Sequence, residues 1–242
     1  PYDAMIVRRR VYNTIKLYAK QRRLTSILSE QMKDKEQNRQ IMVGILSHIV
    51  EFRNGESGAH VQHINVLTKM LLSRLVQKTD KYDLTWQDRE TIVMASSLHD
   101  IGKIGIDDKI LNKPGRLTKE EFEVIKTHSA IGASMLESLE YYKNEPLVRI
   151  AHDICRWHHE RYDGKGYPGG VKGTDIPILG RILAVCDSFD AMVSRRAYKD
   201  ALSVEYAIGE LEKGKGTQFD PDVAEAFIEL IEEDPSFQVK AS

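Results

Sequence analysis

Apolar residues recur at intervals of three and four along almost the whole chain, and no strict apolar–polar alternation persists. That period is helical, and it predicts an all-α bundle without strands. Over residues 56–78 the apolar stripe is Val61, Ile64, Leu67, Leu71 and Leu75. Thr85, with Asp88 three residues on, caps the next helix. This helix is expected to run through Ile92-Val93-Met94-Ala95 into His99-Asp100. Lys113-Pro114-Gly115-Arg116 reads as a turn, and Thr118 with Glu121 as a capping box opening the helix that carries His128. Pro146 starts a helix that ends at His158-His159, and a glycine-rich loop follows over residues 163–180. Pro177 leads into the apolar run Ile182–Cys186, and shorter helices follow Ser203 and Asp220-Pro221.

The first 55 residues carry few helix breakers before Asn54-Gly55 and read as one long helix or two joined ones. A 3/4-spaced seam runs from Leu17 to Phe52. It is apolar at Leu17, Leu24 and Leu28, polar at Gln31, Lys35 and Asn38, and apolar again at Met42, Ile45, Ile49 and Phe52. A polar centre between apolar ends suits a parallel coiled coil whose register is fixed at the expense of stability. An amphipathic helix packed on its own domain fits the pattern equally well. The chain is therefore divided into a linker helix or coiled coil over residues 1–52 and a helical domain over residues 53–242.

The chain has 35 basic and 36 acidic residues among its 242, so nothing in its charge points to a nucleic-acid polymer as partner. A hydrophobic fraction of 41% is enough for a core, and no apolar run reaches the ~18 residues of a membrane span. The first ten residues are charged and lack the apolar segment of a signal peptide. The start at Pro1 suggests a piece of a longer protein. Two cysteines, Cys155 and Cys186, lack ligand spacing and read as small core residues of a protein in a reducing cytoplasm.

The polar residues that interrupt apolar runs are the candidate chemistry. His99 and Asp100 sit side by side in such a run, with Lys103 three residues later. Taken alone, a His-Asp pair is an ordinary helix end. Glu56 and His60, four residues apart, share one helix face. His158 and His159 are consecutive, and Asp187 and Asp190 break the apolar stretch Ile182–Phe189, with Asp187 expected on or near the buried side, where an unpaired carboxylate calls for a cationic partner. His128 is a weaker candidate, while His48, His63 and His152 have no such context. Imidazole and carboxylate donors suit iron, manganese, zinc or nickel. Seven or eight of them exceed what one ion takes, which implies two or three ions sharing bridging carboxylates.

The run His99-Asp100-Ile101-Gly102-Lys103, followed by His158-His159-Glu160 and Asp163-Gly164-Lys165-Gly166-Tyr167-Pro168, resembles the HD-GYP family of the HD phosphohydrolase superfamily. The likeness extends from about Val50 to Leu230. It implies an HD-type bundle and metal binding by Glu56, His60, His99, Asp100, His128, His158, His159 and Asp187. Glu56 is associated with sites of three ions rather than two. The likeness further implies catalytic roles for Asp100 and Lys103, and substrate contacts from Lys103, Tyr167, Arg196 and Lys199. Two positions depart from the family pattern: Ala197 stands where proline is usual, and His63 where arginine is common. Pro1-Tyr2-Asp3, Ile6-Val7 and Arg10-Val11-Tyr12-Asn13 also resemble the tail of a response-regulator receiver domain, with residues 1–18 as its remnant.

The family resemblance implies metal-dependent hydrolysis of cyclic di-GMP to pGpG, with a second cut giving GMP. The rival readings are another cyclic dinucleotide, such as 3′,3′-cyclic GMP-AMP, and a sensor that binds without cleaving. A sensor is usually marked by missing ligands, and none is missing here. The glycine-rich loop around Tyr167 is either part of the site or a docking surface for a diguanylate cyclase (GGDEF) partner. The linker helix is expected to form a parallel homodimer.

Overall fold

A computed structural model describes residues 3–54, 59–79, 81–82, 84–195 and 200–233. The described helices are α1 (Ala4–Arg53), α2 (Ala59–Lys78), α3 (Trp86–Ser96), α4 (Asp108–Leu111), α5 (Lys119–Glu137), α6 (Pro146–Trp157), α7 (Ile178–Val193), α8 (Val204–Gly214) and α9 (Pro221–Glu233). Short 3-10 turns lie at Ile101–Gly105 and Gly173–Asp175, and no strand occurs among the described residues.

Both capping boxes form. Thr85 and Asp88 exchange side-chain and backbone hydrogen bonds at the start of α3, and Thr118 and Glu121 do so at the start of α5. Each satisfies two otherwise unpaired N–H groups. Ser203 caps α8 by accepting from the Tyr206 N–H, and Pro146 opens α6.

The chain divides into two compact units, residues 1–42 and 43–242. In the first, every described residue is exposed except Glu36 and Arg39, which form an ion pair of 2.6 Å. In the second, α2 packs on α3, α7 and α9, while α6 lies against α3, α5 and α7. Ile64, Leu71, Leu72, Ile92, Ile154, Ile182 and Leu183 are buried between them. Phe189 and Phe227 meet edge to face, with ring centres 5.1 Å apart. The last three turns of α1 belong to this unit and bury Val43, Ser47, Val50 and Glu51. The seam residues Met42, Ile45, Ile49 and Phe52 are exposed instead.

One boundary differs from expectation in a way that matters. Helix α3 stops at Ser96 rather than running into His99-Asp100. The Ser96 hydroxyl donates back to the Val93 carbonyl at 2.7 Å, and Ser97 donates to Asn65 at 2.9 Å. Such side-chain bonds compete with the helical ladder. The chain then winds in i→i+3 steps from Leu98 N–H to Ala95 through Lys103 N–H to Asp100.

Candidate metal centre

The tighter winding after Ser96 brings two neighbouring side chains to one point. Asp100 has φ −99° and ψ 10°, a sparsely populated region found in many active sites. Its Oδ2 lies 3.3 Å from His99 Nε2. Helix α5 then crosses this turn closely enough to add His128 from the far side.

The structure brings seven of the eight expected ligands together, in two groups whose donor atoms lie within 4.8 Å of one another. One group is His60, His99 and Asp187; the other is Asp100, His128, His158 and His159. Asp100 faces both: Oδ1 lies 3.2 Å from His128 Nε2 and 3.9 Å from His158 Nε2, while Oδ2 faces His99. Glu56 lies outside the described residues, as do Arg196, Ala197 and Lys199, and the structure describes none of these four.

Four imidazoles are set for coordination through Nε2. Nδ1 donates to the Ser96 carbonyl from His99 (2.8 Å), to the Ile125 carbonyl from His128 (2.6 Å), to the Ile154 carbonyl from His158 (2.9 Å) and to Asp190 from His60 (2.6 Å). Carbonyl oxygens only accept, so Nδ1 carries the proton of the neutral ring and the Nε2 lone pair points into the site. Yet His60 and His99 bring Nε2 atoms to 3.3 Å, and His128 and His158 to 3.4 Å. Two lone pairs at that distance repel unless a proton or a metal ion lies between them. Two nitrogens about 2.1 Å from one ion, at angles of ~90–110°, are roughly 3.0–3.4 Å apart. Asp100 Oδ1 is also buried without a hydrogen-bond partner. The donor set thus fits metal ions, with the identity of the ion left open by ligand type.

The field of the site has the same character. Burial opposes charge on Asp100, but Lys103 and His99 hold its carboxyl well below the usual carboxylate range. Burial also lowers the His99 pKa, but the Asp100 carboxylate reverses this and lifts it to about 9. Burial and the charges of His99 and His128 drop His158 to about 3, and burial with its imidazole neighbours holds His159 well below its ordinary value. Their nitrogen lone pairs therefore stay available at neutral pH.

Around the donors stand residues that place charge and walls. The Lys103 ammonium lies 2.7 Å from Asp100 Oδ2. Tyr167 packs its ring against His159, centres 4.7 Å apart, and burial pushes its phenol pKa up. The loop carrying it is held by Glu160, a buried carboxylate that accepts the N–H groups of Gly169 (2.6 Å), Gly170 (3.1 Å) and Val171 (3.1 Å). Arg53, in the last turn of α1, donates to the carbonyls of Lys103 (3.0 Å), Ile104 (2.6 Å) and Ile106 (2.7 Å).

Sequence reasoning left His63 without a context and named Asp190 without giving it a role. Buried Asp190 accepts from His60 Nδ1 and, at 2.8 Å, from His63 Nδ1. A signal was present: His63 follows His60, and Asp190 follows Asp187, by the three residues that put side chains on one helix face. His48 is exposed and His152 pairs with its neighbour Asp153, so these two remain outside the site. Cys155 and Cys186 are buried free thiols.

A family model described as an HD domain matches residues 44–223. The chain belongs to the HD-domain family. Among relatives of this HD-domain chain is a cyclic di-GMP phosphodiesterase of Thermotoga maritima, 43% identical over 189 residues. The match covers 78% of this chain and 48% of that one. A 3′3′-cGAMP-specific phosphodiesterase of Vibrio cholerae is 37% identical over 202 residues, covering 84% and 37%. The chain thus spans less than half the length of these relatives. A crystal structure of a cyclic GMP-AMP-specific phosphodiesterase from V. cholerae superposes with a TM-score of 0.55 at 18% identity, over 82% of this chain and 49% of that one. That likeness concerns the HD-type helical fold. No described helix is long and apolar enough to cross a membrane.

Proposed function

We propose that this HD domain hydrolyses cyclic di-GMP to linear pGpG, with a second cut giving GMP, using two or three transition-metal ions. Iron or manganese is the leading choice, with zinc and nickel as further options. The carrying observation is the convergence of two donor groups on Asp100, beside the Lys103 ammonium. Ions held there supply Lewis acidity and make water acidic enough to act as a nucleophile near neutral pH. His60, His99 and Asp187 would hold one ion, and Asp100, His128, His158 and His159 another, with Glu56 as the donor expected for a third. Lys103 places fixed positive charge where a phosphodiester's anionic oxygens must lie, favouring the more charged transition state. Asp100 holds that ammonium in place while facing both donor groups. Tyr167 walls the site on the His159 side and offers a face for a guanine base. Arg196 and Lys199 are proposed to hold the substrate's phosphates and bases, with Ala197 giving that wall a looser turn.

The relative named as cGAMP-specific keeps 3′,3′-cyclic GMP-AMP as the second reading. The test is turnover of both dinucleotides by anaerobically purified protein loaded with iron, manganese or zinc. Cyclic di-GMP consumed with pGpG appearing is the expected result. Faster turnover of 3′,3′-cyclic GMP-AMP would transfer the assignment, and binding of either without turnover would make the protein a sensor.

We further propose a cytoplasmic signalling protein divided into a linker over residues 1–52, with a receiver-domain remnant at 1–18, and a catalytic domain over residues 53–242. The linker pairs two copies in parallel. The exposed Leu17, Leu24 and Leu28 support this, because a lone helix gains nothing from apolar residues in water. The loop around Tyr167 is the proposed contact for a GGDEF partner.

A further inference from the structure

We propose that His63 is a positioning residue for the metal group of His60, His99 and Asp187, acting through Asp190. The inference rests on the two-group metal reading above. Helix α2 supplies both His60 and His63, and α7 supplies both Asp187 and Asp190, so the two helices are joined by a ligand pair and, one turn along, by a supporting pair. Asp190 is 1% exposed and holds its environment through three donors. Oδ2 takes His60 Nδ1 at 2.6 Å; Oδ1 takes His63 Nδ1 at 2.8 Å and the Ser194 hydroxyl at 2.8 Å. The first of these bonds fixes the tautomer that turns His60 Nε2 toward His99 and Asp187. Its direction depends on the rotation of the Asp190 carboxylate, which the two bonds to Oδ1 set.

The donors on Oδ1 are unequal. Ser194 can rotate its hydroxyl toward other acceptors, whereas the His63 ring holds a fixed N–H and, when protonated, brings charge to a buried anion. Asp190 accordingly raises the His63 pKa. With a side-chain exposure of 32% against 2% for Asp190, His63 closes the network at its solvent edge. Without it, the carboxylate is free to turn toward Ser194 or water, and His60 loses its alignment.

The test is a cobalt(II) titration of the chelator-stripped full chain, followed by visible absorbance, with bound metal counted by mass spectrometry after dialysis. Wild type should titrate in two steps, and Asp187→Ala identifies the step that belongs to the His60 group. His63→Ala should weaken that step by ~10–100-fold, as loss of such supporting partners commonly does, and leave the other step unchanged. His63→Asn, whose amide nitrogen can take the place of Nδ1, should recover most of the affinity. An ordinary packing role would lower the unfolding temperature in chelator equally for both variants and leave cobalt affinity alone. That outcome overturns the inference, as does an Asn variant no tighter than the Ala variant. A wild type that binds at a single position overturns the inference together with the two-group reading. Because cobalt binding is the readout, absence of dinucleotide turnover would count against the proposed activity alone.

Discussion

Gly102 has no room for a β-carbon: one built there would lie 1.9 Å from the His128 carbonyl oxygen and 2.4 Å from the Gly132 nitrogen. These are backbone atoms of α5, so no side chain can swing aside. The absence of a side chain lets α5 approach the turn after Asp100, and that approach puts His128 opposite Asp100. Gly102→Ala should therefore cost about 3 kcal/mol, the upper part of the range for overpacking, and separate the donors of the second group. Urea unfolding with bound metal counted at each step checks this; a variant with wild-type stability and wild-type metal content would contradict it. The sequence displays His99, Asp100 and Gly102 together, but it could not show that the glycine serves His128. That requirement comes from a helix distant in the chain.

At the level of elements, the last turn of α1 is tied to both segments that carry candidate metal donors. Glu51 accepts the Val61 N–H at 2.8 Å, next to His60, while Arg53 clamps three carbonyls of the turn after Asp100. Movement of that turn of α1 would thereby reach His60 and Lys103. Arg53→Ala leaves three carbonyls to water and should destabilise the domain by ~2 kcal/mol, the scale of hydrogen bonds to a charged group. If the proposed activity holds, kcat should fall about tenfold with little change in KM, since Lys103 loses its fixed backbone. Steady-state kinetics of the folded variant test this, and an unchanged kcat would sink the coupling. The helix starts were legible because capping is local: Thr85, Thr118, Ser203 and Pro146 each mark a start that the structure reproduces. The end of α3 was not legible, because Ser97 and Asn65 decide it across the fold.

For the whole molecule, the candidate metal site is a concentration of ionisable side chains that a hydrophobic bundle must accommodate. In the metal-stripped protein His158 and His159 have pKa values below the unfolded value of ~6.5. The unfolded chain then binds protons that the folded chain refuses, so stability is present above pH ~6.5 and falls as the pH drops from there toward about 3. Asp100 and Asp190, also lowered, add to the loss below pH ~4. His99 acts on the other flank: its pKa of about 9 gives stability below pH ~6.5 that is lost as the pH rises through that value. Melting temperatures in chelator should trace a dome with its top near neutrality, and metal should raise them by mass action. A flat profile between pH 6.5 and 4, where the two depressed histidines dominate, would refute the assignment.

The sequence by itself determined the helical class, the capped starts, the apolar stripes and the inventory of donors. These are properties of residues one to four positions apart, where the covalent chain fixes the geometry. It also carried the His-Asp and Gly-Tyr-Pro motifs, on which the family likeness rests. Only the tertiary structure decided how the donors partition: His60 with His99 and Asp187, and Asp100 with His128, His158 and His159. It alone gave His63 and Asp190 their place, because a hydrogen bond across 127 residues depends on how α2 packs against α7. Local pattern fixes which face a side chain takes on its own helix, and packing decides what that face meets.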